Sequence, residues 1–97
     1  MNFITVEDLL KNEDAYYRTE YFQSPESLQE LVERLNHHGA KEILVWLDGN
    51  NWDGELFIAI PKTVTAGLLV TVAGARPNES CLEHDEPEGD YIRLWWD

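Results

Sequence analysis

Three apolar runs of strand length constrain this chain most: "EILVWLD" at 42–48, "ELFIAI" at 55–60 and "GLLVTVAG" at 67–74. They are nearly continuous in apolar residues rather than alternating, the pattern of strands covered on both faces. Between the first two, "DGNNWDG" holds two Asp-Gly pairs and predicts a hairpin. Pro61 ends the second run, and "PKTVTAG" reads as the next turn. Such a sheet needs two covers, yet only one strong helix is evident. In "SPESLQELVERLNHHG", Ser24 stands at the cap position, Pro25 at the first helical position and Glu26 in the first turn. Leu28, Leu31, Val32 and Leu35 follow at i, i+3, i+4 and i+7, and Gly39 is the expected stop, so a helix is predicted over 25–37. The remaining cover is expected from a short N-terminal helix, a second copy of the chain in a homodimer, or a bound partner.

The other elements are shorter. "TVEDLLKN" at 5–12 reads as a helix, with Thr5 and Asp8 making an acidic variant of the capping box. "AYYRTEYF" at 15–22 and "YIRLWW" at 91–96 read as strands. With 97 residues and no internal repeat, one domain over 1–97 is expected. The predicted class is α+β: a mostly antiparallel sheet of four to five strands, the main helix at 25–37 and the short N-terminal helix.

Charge narrows the function classes. Nineteen Asp and Glu stand against seven Lys and Arg, a formal net charge of −12. A phosphate backbone and an anionic membrane surface both demand the opposite sign, so neither direct nucleic-acid binding nor membrane binding is expected. A basic protein is the natural partner, because complementary potentials speed encounter. The opening "MNFITVEDLL" has no basic n-region and does not read as a signal peptide. A single cysteine, Cys81, suits a reducing cytoplasm.

Catalytic and metal chemistry find little support. Cys81 and His84 in "CLEHDE" offer two soft-metal donors, but a structural zinc site takes four N or S ligands, and the other histidines, His37 and His38, sit at a helix end. "DGNNWDGE" fails as a calcium loop, with Trp52 and Asp53 at two defining positions. Ser80 lies in no nucleophile elbow, and no Gly-rich phosphate loop is present. No enzyme, cofactor or metal is therefore expected. A small metal-binding or hydrolytic protein built on Cys81 and His84 stands as the alternative from another class.

What remains is recognition. Residues 79–90 carry six carboxylates and no Lys or Arg, and run into a strand ending in Trp95 and Trp96. On a strand those two tryptophans point to opposite faces. Glu83, Asp85, Glu86, Glu88 and Asp90, with Pro87 and Gly89 among them, read as one loop: either a plain solvated one or a surface made for Arg and Lys of a partner. Trp52 in the hairpin loop, with Asp53 beside it, is the best candidate for an exposed aromatic anchor, or else folds back onto its own sheet; of Trp95 and Trp96, one enters the core while the other covers the second face or meets a partner. The expected partner-binding set is thus Trp52, Asp53, Glu83, Asp85, Glu86, Glu88, Asp90 and Trp95.

The stretch "YFQSPESLQELVERLNHHGAKEILVWLDGNNWDGELFIAI", residues 21–60, resembles the small immunity proteins of bacterial polymorphic toxin systems. Those commonly show a strand, a Ser-Pro-capped helix and a meander with a D-G turn before an E-L-x-I strand. The resemblance implies a non-enzymatic inhibitor that binds a cognate toxin, often a nuclease, and blocks it sterically and electrostatically. Phage-encoded anti-CRISPR and anti-restriction proteins, which mimic nucleic-acid charge, are similar in size and acidity and form the alternative.

Overall fold

The computed structural model describes residues 2–97. In chain order the elements are β1 (Asn2–Thr5), α1 (Val6–Lys11), β2 (Tyr16–Tyr17), α2 (Pro25–His37), β3 (Ile43–Asp48), β4 (Asn51–Trp52), β5 (Glu55–Ala59), α3 (Ala66–Gly74), β6 (Glu79–Glu83) and β7 (Tyr91–Trp95). The strands form one sheet in the order β2-β4-β3-β5-β7-β6, with β1 also pairing β3. The β2–β4 pair is parallel, and β1–β3, β3–β4, β3–β5, β5–β7 and β6–β7 are antiparallel.

The capping chemistry accounts for two helices directly. Thr5 Oγ1 accepts the Asp8 N–H at 3.3 Å to start α1, and Ser24 Oγ accepts the Ser27 N–H at 3.4 Å to start α2. Helix α2 buries Leu28, Leu31, Val32 and Leu35, and the chain leaves it through Gly39 at φ 100°. Of the two Asp-Gly pairs, only Asp48-Gly49 turns the chain. Between the pairings Leu47↔Trp52 and Leu44↔Phe57 the facing arm carries two residues more than β3, so it bulges at Asp53 and Gly54. Gly54 has φ 92°, and a Cβ there would run into the Trp96 carbonyl oxygen. Its own carbonyl accepts the Trp96 N–H at 2.9 Å, which ties the bulge to the C-terminal tail. Beside β5 the next strand is β7; beyond the bulge, beside β4, it is β2.

A mostly antiparallel sheet of four to five strands with one main helix is therefore not what forms: among the described residues the α+β sheet is mixed and seven-stranded, with three helices. The run at 67–74 is helical, not a strand. Thr65 Oγ1 accepts the Leu68 N–H at 3.1 Å and caps α3, while Leu68, Val72 and Ala75 recur at i, i+4 and i+7 and meet the core. The Leu-Leu-Val-Thr-Val content favours strands locally, but this tertiary stripe overrides it. Strand β6 arises within the acidic segment because it is an edge strand, where charged side chains stay in water. In the stretch 15–22 only Tyr16 and Tyr17 pair, and parallel to β4, which is what makes the sheet mixed.

All three helices pack on one face of the sheet. Val6 and Leu9 from α1, the α2 stripe and Leu68 from α3 join Ile43, Val45, Leu47, Leu56, Ile58 and Leu94 in one buried cluster. Trp52 and Trp96 belong to the same cluster and are both 0% exposed. Burying side chains of this size contributes on the order of 2–3 kcal/mol each, before entropy is counted. On β7, the Tyr91 hydroxyl donates to Glu42 Oε1 at 2.6 Å. That hydrogen bond, aided by burial and by the carboxylate's charge, pushes the Tyr91 phenol up to about 12.

Candidate functional site

The opposite face of the sheet carries no helix among the described residues. Strand alternation sends Phe3, Leu44, Trp46, Glu55, Phe57, Arg93 and Trp95 to it. The registers Phe3↔Trp46 and Phe57↔Arg93↔Cys81 set side chains in rows across five strands. Phe3 meets Trp46 edge-on at 4.8 Å between ring centroids and Phe57 at 5.2 Å, so three aromatics from three strands interlock. Phe57 is buried by this packing, whereas Phe3, Trp46 and Trp95 are partly buried.

Among the described residues one ion pair crosses the floor of this face. Arg93 Nε donates to Glu55 Oε2 at 2.6 Å with both side chains mostly covered. Burial alone would lower the Arg93 pKa, but the bond to Glu55 and its charge, with a smaller contribution from Cys81, raise it on balance. The Arg93 charge is thus already matched inside the protein.

The acidic loop forms the rim. Glu83, at the end of β6, turns its Oε2 back to accept the N–H groups of His84 at 3.2 Å and Asp85 at 3.4 Å. The Gly89 N–H closes onto the His84 carbonyl at 3.2 Å, and His84 Nδ1 lies 2.9 Å from Asp90 Oδ1. The loop, whose Glu86-Pro87 peptide is cis, is therefore a hydrogen-bonded turn. Glu83 and Glu86 line a groove of about 230 Å³ whose other walls are Phe3, Trp46, Phe57 and the Glu55–Arg93 pair. Among the described residues neither Glu83 nor Glu86 pairs with a Lys or Arg.

Aromatic walls with unpaired carboxylates at the mouth suit a cationic side chain. A guanidinium or ammonium group there can lie against an indole face while its N–H groups reach carboxylate oxygens. The wider field favours such a ligand as well, since the ion pairs among the described residues engage only Asp53, Glu55 and Asp90 out of nineteen acidic residues.

The residues expected from sequence to bind a partner divide into three groups. Glu83 and Glu86 come together at the groove, and Trp95 lies on the same sheet face. Asp85, Glu88 and Asp90 sit exposed on the loop beside it, Asp90 held by His84. Trp52 and Asp53 are elsewhere. The expectation that Trp52 is the exposed anchor is wrong: its ring packs against Tyr17 and Phe22 and its Nε1–H donates to the Glu55 carbonyl at 2.9 Å. It belongs to strand β4 rather than to a loop, and falls on the helix-covered face. Asp53 lies exposed at the bulge, 3.6 Å from Arg18.

Sequence reasoning missed Phe3, Trp46, Phe57, Glu55 and Arg93. The signal was present at 43–47, where Ile43, Val45 and Leu47 alternate with Leu44 and Trp46, so both faces are apolar and only one has a helix to meet. Cys81 is an exposed thiol opposite Arg93 on that same outer face. No group of three or more His, Cys, Asp or Glu side chains converges as metal ligands among the described residues. Nor, among them, is any helix long and apolar enough to cross a membrane. No protein-family model matches the chain, and neither a curated protein nor a solved structure matches it.

Proposed function

We propose that this chain is a non-enzymatic inhibitor that binds a basic protein through the outer face of its sheet and blocks that protein's own binding surface. One observation carries the reading: Glu83 and Glu86, which among the described residues pair with no Lys or Arg, rim an aromatic groove on the sheet face that no described helix covers. An Arg or Lys of the partner entering the groove would gain cation–π and charge-assisted contacts there. The exposed Asp85, Glu88 and Asp90 would extend the acidic surface around it. The resemblance of residues 21–60 to immunity proteins gives the reading its specific form: a cytoplasmic protein protecting its host from a nucleic-acid-directed toxin. Carboxylates spread over the surface then stand where the enzyme would otherwise hold phosphates.

The reading is tested by capture and inhibition together. Immobilised protein is expected to retain a basic enzyme from a lysate of the native host, and stoichiometric addition should abolish that enzyme's activity on its nucleic-acid substrate. Retention of no basic protein, or a retained enzyme that remains fully active in the complex, would contradict it.

A further inference from the structure

Helix α3 is apolar on two opposite sides, and only one of them is buried. Leu68, Val72 and Ala75 face the core, while Ala66, Leu69, Val70 and Ala73 repeat at i, i+3, i+4 and i+7 on the opposite side. That second stripe lies open: Leu69 is 55% and Val70 70% exposed, with Val64 just before the helix at 43%. A helix with apolar stripes on opposite sides normally buries both. In water this stripe is the type of patch that marks an association surface.

We propose that a second copy of this chain covers the outer stripe of α3, giving a homodimer. Charge selects that occupant. Residues 63–75 form the longest uncharged stretch in a chain of net charge −12, so two copies can approach here without bringing carboxylates together. Lys62 and Arg76 bracket the stretch, and neither makes an ion pair among the described residues. Two cations at this border repel the basic partner proposed for the opposite sheet face, which leaves an uncharged surface on a second copy as the fitting cover. Leu69 and Val70 lie between Ala66 and Ala73, whose small side chains let two such helices approach closely across a two-fold axis. The inference is independent of the proposed inhibition, since it uses none of the groove residues.

Salt distinguishes this contact from the acidic groove. Screening removes repulsion between two −12 copies but leaves apolar contact intact, so added salt should strengthen the dimer. Sedimentation of the full chain from micromolar to near-millimolar concentrations is expected to show a monomer–dimer equilibrium that shifts toward dimer as salt rises. Val70→Lys and Val70→Asp should each weaken it by about tenfold or more while leaving the thermal melt within a few degrees of the parent, because the side chain is exposed. The lysine variant is the more telling, because it lowers the overall repulsion and should still dissociate the dimer. A monomer at every concentration and salt would overturn the proposal. So would a dimer indifferent to both substitutions, or a monomer whose α3 stripe instead binds phosphatidylcholine vesicles.

Discussion

Trp96→Ala is expected to cost about 3–5 kcal/mol of folding stability, the range for removing a large buried aromatic. A domain of this size is stable by roughly 5–15 kcal/mol, so the variant should melt many degrees lower and be largely unfolded in mild urea. The ring is 0% exposed and packs edge-on against Phe22 at 4.9 Å between centroids. Its Nε1–H donates to the Ala75 carbonyl at 2.8 Å, which joins the tail to the end of α3, and truncation leaves that carbonyl without its donor. The surrounding backbone is tied as well: Asn78 N–H donates to the Trp95 carbonyl at 2.8 Å and Thr19 Oγ1 to the Asp97 carbonyl at 2.9 Å. Trp95, one residue earlier, lies only partly buried on the other face, and Trp95→Ala should cost far less. Urea unfolding of the two variants side by side measures the difference. Equal losses would mean that the two tryptophans do not divide between a core and an open face.

Trp46→Ala is expected to weaken binding of the basic partner about thirtyfold or more, the size of effect found at aromatic hot spots worth about 2 kcal/mol. Trp46 stands at the centre of the outer face, in edge contact with Phe3 and on the wall of the groove. It is partly buried on the outer face, so its truncation leaves the helix-covered core untouched. The loss should appear mainly in the dissociation rate, because the ring offers a contact surface and not a long-range field. Titration calorimetry or surface-based kinetics against the captured enzyme measures it. An unchanged affinity would remove the aromatic groove from the interface.

The sequence shows some of this architecture and hides the rest for identifiable reasons. Ser24, Pro25 and the leucine stripe define α2 because capping and amphipathic period are local signals. Helix α3 is obscured because its residues favour strands when read alone, and its identity depends on Leu68, Val72 and Ala75 meeting a core that only the folded chain supplies. The two Asp-Gly pairs look alike in sequence, but one turns the chain at Gly49 while Gly54 makes the bulge against Trp96. Trp52 follows from that difference, since a residue read as a loop tip is a strand residue in the core. Within the site, the acids at Glu83 and Glu86 are legible from their density. The groove they border is not, because Phe3, Trp46, Phe57 and Arg93 come from four strands that only register brings together.

Carboxylates at the rim of the groove are the centre of the account, and the salt dependence of association tests them most directly. The measurement compares the wild-type chain with a variant carrying Glu83→Gln, Asp85→Asn, Glu86→Gln and Glu88→Gln, each binding the captured basic enzyme between about 0.05 M and about 0.5 M salt. The wild-type association rate should fall by about tenfold or more across that range, while the variant should start slower and change little, with its fold intact. Parallel salt curves for the two proteins, at equal rates, would show that the acidic rim does not steer the partner.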